Sequence, residues 1–142
     1  MGIRVDTSGL DDFIKALKKT QEKTKEVCIR AVDKAAPLLK ESLSEEITKA
    51  ANRGYSTGEL ADHVSAMKAR ENEYGVFSVV GHTDEHDKDK LLWLENGTMR
   101  KGDNLMKRAG PIRTRAVNNA QAKCEAIMQQ EIEGFLDDTF GD

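Results

Sequence analysis

Two histidines, His82 and His86, bracket Thr83-Asp84-Glu85. On a helix, this i, i+4 spacing would place both imidazoles on one face, where they could ligate a metal ion. The surrounding residues 81–90 are polar and charged without an apolar stripe, which indicates a solvated loop. We therefore favour a loop. A small metal-dependent enzyme that uses the two histidines is an alternative, and it predicts bound metal in the purified protein.

The stretch Asp84–Glu95 has an acid at the first and twelfth positions of a calcium-binding loop. However, it places Asp89 where the sharp turn of such a loop requires glycine, and Lys88 at a ligand position. A cation at a ligand position repels calcium, so the pattern excludes this type of site.

Other motifs that carry chemistry are absent from the sequence. It contains no glycine-rich phosphate loop, nucleophile elbow, Cys-x-x-Cys or His-Glu-x-x-His pattern. Cys28 and Cys124 each lie in an apolar helical stripe, where a free cysteine behaves as a small buried hydrophobe. We expect core cysteines, no catalytic, cofactor-binding or metal-binding residues, no cofactor and no enzymatic activity.

The composition indicates one soluble, helix-rich domain. The chain has 142 residues, of which 33% are charged, 38% hydrophobic and 5% aromatic. The net charge of -3 argues against extensive nucleic-acid binding, which normally needs a basic excess. Because no apolar run is long enough to span a bilayer and the N-terminus does not resemble a secretory signal, we expect a protein made in a cytoplasm, without membrane contact.

A local charge asymmetry is more informative than the net charge. Between Met99 and Ala116 six cations accompany one acid, Asp103, whereas the segment after Ala116 is acidic. Opposite charges on different surfaces of identical chains can pair head to tail in a ring. The alternatives are a solvated charged face and contact with DNA phosphates, which we favour less because no aromatic residues lie among the cations to stack on bases. The cations are Arg100, Lys101, Lys107, Arg108, Arg113 and Arg115.

A long amphipathic stripe predicts the first helix, over residues 9–51. Ser8 can cap it, with Asp11 in the place of a capping-box acid, and apolar residues then recur at threes and fours to Ile47. Such a helix is about 60 Å long, more than a compact domain of this size requires. We therefore expect part of it to project or to pack on a neighbouring subunit.

Pro37 lies inside this stripe. Proline removes one backbone hydrogen bond and clashes with the preceding turn, so we expect a kink or a break near Ala35 and Ala36. Two helices in tandem are the alternative.

The middle of the chain, residues 57–112, is predicted to be rich in β-structure. Segments 64–71 and 74–80 form a β-hairpin around Asn72-Glu73, the apolar cluster 91–94 forms one helical turn, and residues 97–110 hold a further strand or an extended loop. A second amphipathic stripe over 114–136, with Pro111 just upstream, predicts a C-terminal helix. The fold class is therefore α+β: a long kinked N-terminal helix, an antiparallel sheet of two to four strands and a C-terminal helix.

Three blocks of sequence resemble a known family. Thr57-Gly58-Glu59-Leu60 with Val64 looks like a Thr-Gly-x-Leu-x-x-Ser-Ile signature, in which His63 and Val64 replace Ser and Ile. Residues 93–98, Trp-Leu-Glu-Asn-Gly-Thr, are similar to an aromatic, aliphatic, Glu, Phe, Gly, Thr block, with Asn96 replacing the aromatic residue. Residues 111–117, Pro-Ile-Arg-Thr-Arg-Ala-Val, resemble Pro-Phe-Leu-Arg-Pro-Ala-Leu at the start of a last helix.

In this order and spacing the blocks resemble the gene-product-ten-like minor structural proteins of lambdoid tailed bacteriophages, which act in tail completion, in the neck or in head-tail joining. The resemblance implies an α+β subunit arranged in a ring at the head-proximal end of the tail, without catalysis. Gly58 and Gly97 would permit turns, Leu60 and Trp93 would anchor loops, and Glu95 would cap backbone amides or pair with a basic residue. The motif and interface candidates are Thr57, Gly58, Leu60, Trp93, Glu95, Gly97, Thr98 and Pro111, together with the six cations.

The sequence therefore predicts a virion structural protein made in a bacterial host. Its expected partners are other copies of the chain and other phage neck and tail proteins. A tail terminator or stopper is the neighbouring alternative. From another class of function, a nucleic-acid-binding regulator using residues 100–115 predicts DNA affinity that falls steeply with added salt.

Overall fold

Two long helices and a small antiparallel sheet form the described structure. The computed structural model describes residues 2–6, 21–52, 59–96 and 110–140. The predicted α+β class is confirmed, and the sheet has four strands. In chain order the elements are β1 (Ile3–Asp6), α1 (Gln21–Asn52), α2 (Glu59–Asp62), β2 (Ser65–Ala66), β3 (Arg70–Asn72), β4 (Gly75–Gly81), α3 (Glu85–Asn96) and α4 (Ile112–Phe140).

Helices α1 and α4 pack against each other in antiparallel directions. The Ser42 hydroxyl donates to the Ala116 carbonyl at 2.8 Å, and the Cys124 thiol donates to the Ala35 carbonyl at 3.5 Å. The contact therefore moves back along α1 as the chain advances along α4. Small and aliphatic side chains fill most buried positions of the two helices. They include Ala31, Val32, Ala35, Leu39, Leu43, Ile47, Ala116, Ala120, Met128 and Ile132.

The expectation that part of the first helix projects is wrong for residues 21–52. Buried positions recur along α1 from Thr24 to Ala50. The reason is the length of α4, whose 29 residues nearly match the 32 of α1, with β4 packing on α1 as well. One subunit therefore covers one face of the helix along its length. Ser8, Gly9 and Asp11, the predicted start and cap, lie outside the described residues.

Pro37 does not break the helix, so the prediction of a break or of two tandem helices is wrong. Helix α1 is continuous from Gln21 to Asn52. Pro37 and Asp33, whose carbonyl loses its usual partner, are both exposed, so water can hydrate that carbonyl. The flanking Ala36 and Leu39 are buried and hold the helix in place.

Strand β4 is the centre of the sheet. It pairs with β1 on one side, with Ile3 opposite Val80, and with β2 and β3 on the other. The predicted hairpin is confirmed, with its two-residue turn at Glu73-Tyr74 rather than at Asn72-Glu73. Strand β1 was not predicted, because four residues are too few for alternation to be distinctive.

A β-bulge separates β2 from β3. Ala66 lies opposite Val80 and Arg70 opposite Phe77, so three residues face two across this interval. The Ala69 backbone N–H donates to the Asp33 carboxylate on α1 at 2.7 Å. This hydrogen bond at the bulge therefore holds the edge of the sheet against α1.

Both cysteines are buried and free, as predicted. Burial raises the pKa of the Cys28 and Cys124 thiols, and the nearby Glu71 and Glu125 raise it further. The protonated thiol is thereby favoured, which suits a packing role.

Substitution of Gly134 tests the helical conformation of this part of α4. It lies in the helix, is exposed, and a Cβ built on it would meet no atom within 4 Å. We expect Gly134→Ala to raise the free energy of unfolding by about 0.5–1 kcal/mol, because glycine costs a helix that much in backbone entropy. Urea denaturation measures the change.

The matched control is Gly110→Ala. Gly110 has a φ of 93°, and its Cβ would lie 3.1 Å from Arg115 Nη1. An L-residue is strained there, so this variant should be less stable than the wild type. A destabilised Gly134→Ala protein would contradict the placement of residue 134 in an exposed helical turn.

Candidate assembly site

Helix α3 begins six residues earlier than the sequence predicted. Residues 85–90 were expected to lie in a loop, but α3 spans Glu85–Asn96. Asp84 caps it, because its carboxylate accepts the backbone N–H groups of His86 and Asp87 at 2.8 and 3.2 Å. The missed signal was this cap followed by acids in the first turn. The charged residues 85–90 carry no apolar stripe, so periodicity alone could not find the helix.

Two histidine contacts join α3 and the chain just before it to α2. His82 Nε2 lies 2.7 Å from the Leu60 carbonyl oxygen, and His63 Nδ1 lies 3.0 Å from Asp87 Oδ2. The Leu60 side chain is buried, with 3% of it exposed. Residues 59–64, the described part of the first motif block, are therefore held against α3 and the residues just before it.

The structure does not bring His82 and His86 together on one helical face. His82 precedes α3, is buried and faces Leu60, whereas His86 is exposed in the first turn of α3. Within the described ranges, no three His, Cys, Asp or Glu side chains form a group able to hold a metal ion.

The last turn of α3 is fastened to the first turn of α4 by Glu95 and Arg113. Glu95 Oε2 accepts from Arg113 Nη2 at 2.7 Å, Nε is 3.1 Å from both carboxylate oxygens, and Oε1 accepts the Arg113 backbone N–H at 2.8 Å. We call this arrangement the Glu95–Arg113 clasp. Hydrogen bonds to Glu95 raise the pKa of Arg113 despite the opposing effect of partial burial. Glu95 thus performs both roles that the resemblance implied for it, capping a backbone amide and pairing with a basic residue.

A second carboxylate holds the next arginine. Glu46 of α1 is 4% exposed, and it accepts from Arg115 Nε at 3.2 Å, Asn119 Nδ2 at 3.0 Å and Lys49 Nζ at 3.0 Å. Burial alone would raise the pKa of Glu46, but the hydrogen bonds and charges of Lys49 and Arg115 outweigh it and lower the pKa below its ordinary value of 4.5. This network joins α1 to the start of α4.

These pairs correct the predicted use of two cations. Arg113 and Arg115 were expected at a subunit interface or on DNA, but both engage carboxylates of their own chain. The sequence signal for Glu46 was an acid at a buried position of the α1 stripe, between Leu43 and Ile47. It was missed because a stripe identifies the buried face of a helix and not the partner on that face.

The predicted role of Trp93 is also corrected. It was expected to anchor a loop, yet it is 47% exposed, while Leu91 and Leu94 supply the buried apolar contacts of α3. Pro111 is exposed directly before α4. The remaining candidates lie outside the described residues, and they are Thr57, Gly58, Gly97, Thr98, Arg100, Lys101, Lys107 and Arg108.

A groove of about 660 Å³ lies beside the clasp, between β1, the end of α3 and the start of α4. Ile3, Pro111 and Val117 contribute apolar surface to it, and the charged pair Glu95 and Arg113 lines it together with the polar Thr114 and Asn118. We call it the β1–α4 groove.

Comparison with known proteins finds no matching family model, no matching curated protein and no matching solved structure. None of the helices in the part of the chain that the structure describes is both long and apolar enough to cross a lipid bilayer.

The Glu95–Arg113 clasp should contribute measurably to stability. Glu95→Gln keeps the shape of the side chain but removes its charge and one acceptor for the half-buried guanidinium. We expect a loss of about 1–3 kcal/mol in the free energy of unfolding, measured by urea denaturation, because the partly buried guanidinium of Arg113 loses its charged acceptor.

The matched control is Glu85→Gln, which breaks an exposed pair with Lys88 on the same helix. It should change stability by no more than about 0.5 kcal/mol. Equal effects of the two substitutions would contradict a structural role for the clasp.

Glu46 should make the protein sensitive to acid. Its folded-state pKa is lowered, so its contribution to stability is full above the unfolded-state pKa and is lost as the pH falls through the folded-state pKa. We expect the difference in unfolding free energy between the wild type and Glu46→Gln to be largest near neutral pH and to shrink below about pH 4.5. Urea denaturation across this range measures it, with Glu45→Gln, an exposed neighbour, as the control. A difference that grows on acidification would contradict the network.

Proposed function

We propose that this chain is a structural protein of a tailed bacteriophage or prophage that acts in tail completion or head-tail joining as a homo-oligomeric ring. The observation that supports it best is the meeting of the three motif blocks around α3. Residues 59–64 are joined to α3 through His63 and to the residue His82 before it through Leu60, the second block contributes Glu95, and the third contributes Arg113. Segments far apart in the sequence thus form one connected unit.

This unit fixes both ends of the basic segment. Residues 97–109 run from the end of α3 to the residue before Gly110, and the Glu95–Arg113 clasp joins the elements on either side. Arg100, Lys101, Lys107 and Arg108 therefore lie, in the sequence, between two elements that the clasp joins. A charged segment held at both ends loses less conformational entropy on binding a partner than a free one does.

The polar contacts of the site also favour assembly over catalysis. Glu95, Arg113, Glu46 and Arg115 neutralise one another within the subunit, and they fasten α1, α3 and α4 together. Charges paired in this way stabilise an architecture, whereas a catalytic group must remain able to meet a substrate. In this proposal the function of the chain resides in its surfaces, in the virion, after synthesis in the host cytoplasm.

Tail terminator and stopper proteins are the neighbouring alternatives, since they share a similar size and ring arrangement. The nucleic-acid-binding alternative is weakened because Arg113 and Arg115, two of the six cations it would use, pair with carboxylates of the same chain. It predicts DNA affinity that falls steeply as salt is added, which a binding titration at several salt concentrations would reveal.

The assembly proposal is tested by the mass of the protein in solution. Sedimentation across a wide range of concentrations should show an oligomer that forms as concentration rises, and electron microscopy should show closed rings. Reversal of Arg100, Lys101, Lys107 and Arg108 to glutamate should weaken assembly by roughly tenfold or more, as loss of a complementary charged surface does. Circular dichroism should stay unchanged.

The matched control reverses Lys23, Lys40, Lys68 and Lys123, which are exposed on other elements. It changes the net charge equally and should leave assembly closer to that of the wild type. A wild-type protein that stays monomeric at high concentration, and also with tail or connector proteins present, would contradict the proposal.

A further inference from the structure

His82 carries a buried nitrogen that has no hydrogen-bond partner within the described ranges. The residue lies between β4 and α3 and is 6% exposed. Its Nε2 is 2.7 Å from the Leu60 carbonyl oxygen, which can only accept a hydrogen bond, so Nε2 carries a proton. The other ring nitrogen, Nδ1, is the buried atom without a partner. These contacts suit a neutral imidazole with its proton on Nε2.

A second proton, on Nδ1, would make this environment unfavourable. It would turn a buried lone pair into a buried N–H group without an acceptor, and it would add a positive charge. If the contact with Leu60 opened, water would solvate the charged ring. The open form therefore binds the proton more readily than the closed form does, and its population rises as the pH falls.

The titratable groups on the sheet and on α3 do not supply the missing acceptor. Strands β2 and β4, which lie beside His82 in the fold, carry no titratable side chain. The buried Asp87 carboxylate contacts His63 Nδ1 at 3.0 Å, and the exposed Asp84 caps α3. The other titratable side chains in the first two turns of α3 are at least partly exposed, and they are Glu85, His86, Lys88, Asp89 and Lys90.

The groups on α2 and α1 do not supply it either. Helix α1 reaches α2 where the Ser44 hydroxyl donates to the Ala61 carbonyl at 2.9 Å. The buried acid near this contact, Glu46, is engaged by Arg115, Asn119 and Lys49. The other charged side chains on these turns are exposed, and they are Lys40, Glu41, Glu45, Glu59 and Asp62.

We infer that His82 is a pH-sensitive switch at the junction of α2 with the start of α3, closed while its ring is neutral and opened when the ring takes up a second proton. The switch is independent of the proposed function, since it concerns only how one subunit holds residues 59–64. His63 at the same junction responds in the opposite sense, because a protonated imidazole pairs more strongly with the Asp87 carboxylate.

Nitrogen NMR of the histidine rings tests the closed state in the full chain, which contains three histidines. Each signal is assigned by its loss in His63→Gln, His82→Gln or His86→Gln. We expect the His82 ring to stay neutral, with its proton on Nε2, over the pH range in which the exposed ring of His86 becomes charged.

Hydrogen exchange measures the opening. The His63 and Val64 amides donate to the carbonyls of Glu59 and Ala61 at 3.1 and 3.4 Å. After correction for the intrinsic exchange rate, their protection in the wild type should fall roughly tenfold between about pH 7.5 and about pH 5, as the open form gains the proton. In His82→Gln it should stay nearly constant, because the amide can still donate to the carbonyl of α2 but takes up no proton.

The matched control is His86→Gln, which removes an exposed histidine from the first turn of α3 and should lose protection as the wild type does. The inference is overturned if His82 becomes charged together with His86, or if His82→Gln loses as much protection in acid as the wild type. A loss that disappears in His63→Gln instead would assign the response to the other histidine and also overturn it. If His82→Gln does not fold, the ring signal that survives in both His63→Gln and His86→Gln identifies His82, and its charging decides the matter.

Discussion

The close antiparallel approach of α1 and α4 determines where the other described elements can lie. Ala31 and Ala35 on α1, with Ala116 on α4, have no side chain beyond Cβ and are fully buried. Such residues let two helix backbones come near and pack densely. Strand β4 also packs on α1, and the start of α4 fixes the place to which the chain must return after α3. The sheet and α3 are therefore arranged around this helix pair.

The start of α4 carries positive charges that carboxylates from α1 and α3 neutralise. Arg113 and Arg115 lie in the first turn of α4, where the helix dipole disfavours positive charge. Glu95 from α3 and Glu46 from α1 supply carboxylates at this end, and Glu95 also accepts a backbone N–H that has no partner within the helix. The same carboxylates join α1, α3 and α4, so the two ion pairs stabilise the subunit and hold together the helices on either side of residues 97–109.

The pairing of these charges within one subunit bears on how the chain can function. The carboxylates and guanidiniums nearest the start of α4 neutralise each other within the subunit. Under the proposed function, the basic segment and other exposed surfaces of the subunit would then make the contacts with partners. Surfaces of this kind join proteins by shape and charge. An assembly protein needs such surfaces, placed on a rigid subunit at defined angles.

The sequence by itself determined the two amphipathic helices and the hairpin centred on residues 74–80. It also determined the burial of Cys28 and Cys124 and the start of α4 after a proline. Each of these features depends on local periodicity or backbone geometry. Only the tertiary structure decided that α1 is covered within one subunit, that the charged residues 85–90 are helical, and that Arg113 and Arg115 pair with carboxylates of their own chain. The pairs that decided the last point, Glu95 with Arg113 and Glu46 with Arg115, are 18 and 69 residues apart. Periodicity shows which face of an element is buried, but only packing selects the partner that a buried charge meets.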